Sequence, residues 1–376
     1  MKRKVLGVLL SVAMVASVLA GCGGSGTQEQ PAAPEAAAAE NGQAAAAENG
    51  QAAAAETTEP AAEGNTETAA AASGLAAHPD QTYYMVTFLS GYSFWTECWR
   101  GFQDAAALLG VEAKYGGTTE YDVNSAVTSL EQIIALKPTG MAVTAMDADA
   151  YKDPINNAIA SGIPIVTFDS DSPDSDRTTF IGTSNYDAGV TAADYIGEKL
   201  GGKGRVACLT RTGQSNINER IQGFTERLAA KYPDIEMVQV VDAGNDENEA
   251  AANLSSLLAT DSDIDYIFAA LQQAVLGTET SLSEAGLTGK IKVVGFDTDT
   301  TTLDSIKSGS VEATLSQSPY AEGFWSMIYV YMLCNQENIK SADDWYAKGF
   351  PSLPATCDSG CAVVTSENAD MYYISE

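Results

Sequence analysis

Short apolar runs rich in β-branched residues alternate along most of this chain with longer stretches whose apolar positions recur at helical spacing. Residues 84–89, 140–144, 163–168, 205–209, 237–241, 266–270 and 291–296 read as strands buried on both faces. Between them, residues 94–109, 126–136, 187–200, 217–231, 249–258 and 275–285 read as amphipathic helices. Strand, helix and strand at this spacing require right-handed crossovers, and therefore parallel sheets covered by helices on both faces. The fold class expected is α/β, with enough chain over residues 81–376 for two doubly wound parallel-sheet lobes. In such sheets ligands bind beyond the carboxyl ends of the strands, so the residues just after each strand carry the candidate chemistry.

The first eighty residues follow a different pattern. Lys2, Arg3 and Lys4 precede an apolar stretch over residues 5–20, which has secretory length and falls short of the roughly 20 residues of a membrane span. Leu19-Ala20-Gly21-Cys22 resembles the lipobox of bacterial lipoproteins. The resemblance implies that residues 1–21 are a signal peptide that is removed. It also implies that Cys22 becomes the mature N-terminus, carrying at least a diacylglyceryl group, since durable anchoring takes more than one acyl chain. Residues 23–80 contain no Lys or Arg and repeat the unit Glu-Asn-Gly-Gln-Ala-Ala-Ala-Ala at positions 40–47 and 48–55. That composition buries too little apolar surface to offset the entropy of ordering. Residues 22–80 therefore read as a solvated linker with a reach of roughly 40 Å, holding a lipid-anchored domain off the outer face of the cell membrane.

Charge narrows the partners. Of the formal −30, the three basic residues of the leader contribute +3 and the nine acids of residues 23–80 contribute −9, which leaves −24 on residues 81–376. A surface that acidic repels phosphate backbones and excludes nucleic-acid binding, while it favours neutral or cationic ligands. Metal chemistry has no support, because His78 is the only histidine and no paired ligand spacing occurs. No cofactor motif is present either. Gly201-Gly202-Lys203-Gly204 lacks the spacing of a phosphate loop and reads as a turn into a strand.

At the strand ends stand Ser90-Gly91-Tyr92-Ser93-Phe94-Trp95, Asp169-Ser170-Asp171-Ser172, Gly213-Gln214-Ser215-Asn216-Ile217-Asn218, Asp297-Thr298-Asp299 and Gln317. Aromatic rings, carboxylates and amides in this combination suit a polyhydroxylated ligand. A sugar ring offers C–H faces to aromatic side chains and a rim of hydroxyls to carboxylates, each of which accepts two or more hydrogen bonds. Two other readings of the same residues stay open. Asp169 and Asp297 can be a glycosidase acid and base pair, or local caps of a turn and of the helix near Thr300.

A longer pattern resembles the type I periplasmic sugar-binding proteins of ABC importers, and their ribose-binding branch in particular. It runs through Phe94-Trp95, Gly101-Phe102-Gln103-Asp104-Ala105-Ala106, Gly162-Ile163-Pro164-Ile165-Val166-Thr167-Phe168-Asp169 and Gly182-Thr183-Ser184-Asn185. It continues through Glu219-Arg220-Ile221-Gln222-Gly223-Phe224, Val294-Gly295-Phe296-Asp297 and Gln317-Ser318-Pro319-Tyr320. The resemblance implies two lobes joined by a three-segment hinge, with residues 81–183 and 318–353 in the first lobe and 184–317 and 354–376 in the second. A helix over 320–334 belongs to the first lobe, and the last crossing falls near Pro354. A monosaccharide or cyclic polyol is implied as the ligand, with Phe94, Trp95 and Phe296 as rings and Asp169, Asp297 and Gln317 as polar contacts. Where the ribose binders carry an arginine and a second-lobe ring, this chain has Asn218 and Asn245, both taken as candidate contacts. Their asparagine after the 266–270 strand falls near Leu271 or Gln272. Trp99 reads as packing.

The implied partners are a membrane permease with a cytoplasmic ATPase, reached by a protein acting as a monomer. The alternatives are a ligand-binding input to a membrane sensor or chemoreceptor, and a lipid-anchored glycoside hydrolase. Cys357 and Cys361 flank Asp358-Ser359-Gly360 and are expected to close a small disulfide loop, while Cys98, Cys208 and Cys334 are expected to be buried and inert.

Overall fold

The computed structural model describes residues 78–336 and 353–373. The signal peptide, Cys22, the expected linker up to residue 77 and the stretch 337–352 lie outside the described residues. His78 falls within the stretch expected to be linker, yet its ring packs 6.2 Å from that of Tyr331.

Two sheets are built in succession. The first takes β1 (Thr82–Thr87), β2 (Glu112–Gly117), β3 (Gly140–Val143), β4 (Ile165–Phe168) and β5 (Phe180–Gly182), connected by α1 (Ser93–Leu109), α2 (Val123–Ala135) and α3 (Ala148–Ala160). The second takes β6 (Lys203–Thr210), β7 (Asp234–Asp242), β8 (Tyr266–Ala269), β9 (Lys292–Phe296) and β10 (Ala313–Ser316). Its helices are α4 (Asn185–Lys199), α5 (Ser215–Lys231), α6 (Glu247–Leu258), α7 (Gln272–Glu284) and α8 (Thr300–Ser308). The chain then returns as α9 (Pro319–Cys334), and β11 (Thr356–Asp358) and β12 (Ala362–Thr365) complete the two sheets.

The sheet orders are β11-β5-β4-β3-β1-β2 and β12-β10-β9-β8-β6-β7, the same order in both lobes. The strands pair in parallel except for the antiparallel β10 and β12. Each sheet has its own apolar core, one centred on Met85, Phe102, Leu130 and Phe168, the other on Leu209, Phe224, Phe268 and Val294. Helix starts are written locally: Asp122, Asp147, Asp246 and Asp299 each accept a backbone N–H of the first turn of α2, α3, α6 and α8.

Several elements escape the hydrophobic pattern, the short strands β11 and β12 among them. β2 is a half-exposed edge strand of polar and small residues, β5 has only three residues, and α3 carries Pro154 inside it. Two further expectations are corrected. The last crossing does not fall near Pro354, because Thr356–Asp358 first completes the edge beside β5, and the chain changes sheet between Asp358 and Ala362. Cys357 and Cys361 are free thiols and form no disulfide. Cys357 lies in β11 of the first sheet and Cys361 just before β12 of the second, and the turn between them is already held by Asp358 Oδ1, which accepts the N–H groups of Gly360 at 2.9 Å and Ser184 at 3.2 Å. Cys98 and Cys208 are buried, whereas Cys334 is half-buried and donates to the Thr139 carbonyl at 3.2 Å.

Helix pairs cross closely on both lobes, and glycine makes this possible. A Cβ on Gly101 of α1 would stand 2.0 Å from the Tyr320 carbonyl oxygen, and one on Gly189 of α4 would stand 2.0 Å from that of Arg220. Gly189→Ala is expected to force α4 away from α5 and cost about 1–3 kcal/mol, the range for overpacking. The check is a lower urea midpoint at unchanged slope; an unchanged midpoint would mean that the two helices do not approach this closely.

Candidate functional site

In each sheet the strand order reverses between the first and third strands to be laid down, at β1/β3 and at β6/β8, and a crevice opens there beyond the strand ends. The two crevices face each other. Phe88, Tyr92, Phe94, Trp95 and Asp169 from the first lobe and Arg211, Gln214, Asn216, Arg220, Leu271, Asp297 and Gln317 from the second line one cavity of about 50 Å³. A second cavity of about 270 Å³ adjoins it, sharing Phe94, Asp297 and Gln317.

The two aspartates occupy matching places in their lobes. Asp169 leaves β4 with φ +57° and Asp297 leaves β9 with φ +74°, both in the left-handed region that short polar side chains tolerate. Each is pinned there by its own N–H, which donates to the next strand: Asp169 to the Ile181 carbonyl at 3.0 Å, Asp297 to that of Leu315 at 2.8 Å. The turn aims both carboxyls into the cleft. Asp169 Oδ2 accepts from Thr144 Oγ1 and, across the lobes, from Asn216 Nδ2, each at 3.4 Å. Asp297 Oδ1 accepts from Gln317 Nε2 at 2.8 Å. Asp299, two residues on, caps α8, so Asp297 is not that helix's cap.

Arg220 stands beneath them, 2 % exposed. It donates to Asn185 Oδ1 at 2.8 Å, to the Ala270 carbonyl at 3.0 Å and to Gln317 Oε1 at 3.3 Å, and its guanidinium lies 3.6 Å from the centroid of the Phe296 ring. Burial works against its charge, and the charges of Asp297 and Asp169 act in its favour. Arg211, also buried, donates to the carbonyls of Gly244 and Asn245 at 3.0 and 3.2 Å and sits 4.7 Å over the ring of Tyr121 in the other lobe. Tyr121 Oη in turn donates to Gln214 Oε1 at 3.1 Å, a second polar link between the lobes.

On the first-lobe side, Trp95 is wedged edge-on among Phe88, Phe94 and Phe168 at 5.5, 5.1 and 5.9 Å. Its indole Nε1 is buried and makes no hydrogen bond within the protein, which leaves a donor for whatever enters the cavity. Phe94 is half-buried and lines both cavities. Trp99 stacks on Phe102 at 5.9 Å, as packing.

The structure thus brings Phe94, Trp95, Asp169, Asp297 and Gln317 together and leaves three expected contacts outside. Phe296 is fully buried behind Arg220 and supports the guanidinium rather than facing the cavity. Asn218 is exposed. On α5 it points about 200° away from Asn216, whereas Arg220 follows Asn216 by four residues and shares its face to within about 40°. Asn245 is exposed as well and bonds through its backbone, its carbonyl holding Arg211 and its N–H donating to Glu249 Oε2 at 2.8 Å. Sequence reasoning missed Arg211, Asn216 and Arg220. Arg211 directly follows β6, where candidates were sought, and the spacing of Asn216 and Arg220 was readable as one helical face. The position after β8 resolves into Leu271 and Gln273 at the first cavity and Gln272 at the second.

Comparison with known proteins agrees with this architecture. The profile of the periplasmic binding protein domain matches residues 83–338. The chain belongs to the periplasmic binding protein family. Its fold is that of the type I sugar-binding members, two lobes of mostly parallel sheet. This binding protein is similar to a sugar-binding protein of a sugar ABC transporter from Bacillus halodurans, with 38% identity and a TM-score of 0.70 over 78% of this chain and 100% of that one. It is similar to the arabinose-binding protein AraP from Geobacillus stearothermophilus, with 38% identity and a TM-score of 0.68 over 79% of this chain and 100% of that one. The xylose/arabinose-binding protein XylF of Sulfolobus acidocaldarius is 23% identical over 79% of this chain and 74% of its own length.

Burial pushes the Asp169 carboxyl up to about 7, with Arg220 opposing and Asp297 reinforcing the shift. Between the ordinary aspartate pKa of about 4 and that value, the folded protein keeps a proton that the unfolded chain has released. Stability from this group is therefore fully present at acid pH and lost as pH rises through about 7. Asp194, held down to about 2 by Arg227 and Lys231, works in the opposite sense, so a difference isolates the effect. The stability of the binding protein relative to its Asp169→Asn variant is expected to fall as urea unfolding is repeated from pH 4.5 to pH 7.5. A difference independent of pH would mean that this carboxyl is solvated.

Proposed function

We propose that this binding protein is the extracytoplasmic solute-binding component of an ABC sugar importer, holding a neutral monosaccharide or cyclic polyol reversibly between its two lobes. The observation that carries the reading is the meeting of Asp169 and Asp297, one from each lobe, on the wall of a single cavity that also holds Trp95. A ring placed across this cavity and the larger one that adjoins it meets an aromatic face, an unused indole donor, two carboxyls and the amide of Gln317, with Arg220 and Arg211 behind. The similarity to an arabinose-binding protein and to a xylose/arabinose-binding protein supports a sugar as the class of ligand.

Binding works by population shift. The open form samples closure, and the ligand favours the closed form because only there do Asp169 and Asp297 contact it together. The closed surface then delivers the sugar to a membrane permease driven by a cytoplasmic ATPase. Acylated Cys22 and the linker keep the monomeric domain tethered outside the membrane within reach of that permease. No bond is broken in this cycle, so the protein is a carrier and not an enzyme; the sugar is released unchanged.

Titration calorimetry with a panel of pentoses, hexoses and polyols is expected to find at least one binder, recovered intact. Asp169→Ala and Asp297→Ala are each expected to weaken it by about 1.5–3 kcal/mol, the range for hydrogen bonds to charged groups. Near-native affinity in both variants, or hydrolysis of a glycoside by the wild type, would refute the proposal.

A further inference from the structure

Glu322 stands in the first turn of α9, fully buried, where the three segments that join the lobes come together. Its N–H donates to the carbonyl of Ser318, in the second segment, at 3.0 Å. Its Oε1 accepts the hydroxyl of Ser359, in the third segment, at 2.9 Å. Ser359 is tied in turn to the first segment: its N–H donates to the Gly182 carbonyl at 2.9 Å, and its hydroxyl lies 3.4 Å from that of Thr183. Glu322 Oε2 is buried and makes no hydrogen bond within the protein, and the hydroxyl of Ser326, one turn further along α9, makes none either. A carboxylate at this point would hold its charge out of water against a single neutral donor. The charged groups that act on it are Asp169 and Asp297, which disfavour a third anion, and Arg220, which favours one. Cys98, the titratable neighbour on α1, is a buried thiol pushed up by its surroundings and so uncharged. Burial outweighs the help of Arg220 and raises the Glu322 carboxyl well above its ordinary value.

We propose that Glu322 is a proton-operated latch of the hinge, a neutral acid bonded to Ser359 while the lobes are closed and a carboxylate once they open. This rests on the reading of two lobes that close on a ligand, and it adds a control on that closure. The structure holds the lobes in contact, with Asn216 donating to Asp169 at 3.4 Å and Tyr121 to Gln214 at 3.1 Å. Opening turns the three segments against one another, draws Ser359 away from Glu322 and lets water reach Oε2. A hydrated glutamate ionises at about 4.3, so at neutral pH its proton passes to water as the hinge opens. Closure takes that proton up again, and by linkage protons favour the closed form. The closed population therefore falls as pH rises between the open-form and closed-form values of this carboxyl, by up to about tenfold per pH unit for one proton.

The test needs no sugar. Infrared spectra of the full chain at about pH 6 are expected to show a protonated-carboxyl band that Glu322→Gln lacks, and this band is expected to fade in the wild type as the pH is raised to about 9. Solution scattering over the same range is expected to show the wild-type lobes moving apart. Asp169, raised by burial to about 7, contributes a response of the same sign. The part that belongs to Glu322 is therefore the difference from Glu322→Gln, whose amide cannot ionise: the wild type is expected to lose up to about tenfold more of its closed-to-open ratio per pH unit. Glu322→Met, uncharged and of similar length, is expected to behave as Glu322→Gln does and keeps the comparison should the glutamine variant not fold. A wild type with no protonated-carboxyl band assignable to Glu322, or with the same pH response as the variants, would overturn the latch. Because no sugar enters the experiment, that result leaves the sugar-binding reading standing, and a chain that binds no sugar still answers for the latch.

Discussion

A guanidinium buried almost completely between two lobes is the constraint around which the cleft is organised. Removing such a charge from water costs several kcal/mol unless attraction and hydrogen bonds return it, and Arg220 recovers it from six groups around it. Asn185, the Ala270 carbonyl and Gln317 take its N–H groups, Phe296 lies under its plane, and Asp169 and Asp297 supply the counter-charge. The dependence runs both ways. The two carboxyls are pushed up by their own burial and held down chiefly by Arg220, so each of the three charges sets the state of the others.

The same network reaches the hinge. Gln317, which bridges Arg220 and Asp297, is also the residue at which the chain leaves the second sheet for α9. Asn185 opens α4 just beyond the first crossing, at Thr183 and Ser184. At the third crossing Ser359 donates its N–H to the Gly182 carbonyl at 2.9 Å and its hydroxyl to Glu322 Oε1 at 2.9 Å. Glu322 is fully buried, and burial together with the nearby Asp169 pushes its carboxyl far up. Polar groups of the cleft are therefore bonded to the segments that join the two lobes.

Internal likeness between the lobes explains why the cleft is two-sided. Both sheets follow one strand order, and both place a left-handed aspartate after the corresponding strand. Both also bring a helix pair together over glycine, Gly101 with Gly323 in one lobe and Gly189 with Gly223 in the other. The likeness stops at the side chains that differ in chemistry: rings cluster on the first lobe, whereas both cleft arginines come from the second. The cleft thus has an apolar wall on one side and a charged, hydrogen-bonding wall on the other.

Much of this was readable without coordinates. The buried strands announce themselves as apolar runs because each is covered on both faces, and the residues that follow them, Asp169, Asp297 and Gln317, stand where the topology puts ligands. β2, β5 and α3 were hidden because an exposed edge, three residues and an internal proline carry little periodic signal. The exchange of Asn218 for Asn216 and Arg220, and of Asn245 for Arg211, has another cause. The side of α5 that faces the cleft is set by how that helix packs on its sheet, and the burial of an arginine is decided by partners at positions 169, 185, 296, 297 and 317. Local pattern by itself determined the alternation of strands and helices and the strand-end carboxyls, since each depends on neighbours a few residues away. Only the tertiary structure decided which rings, amides and guanidiniums share the cleft, because the compensation of a buried charge is a property of groups brought together from distant parts of the chain.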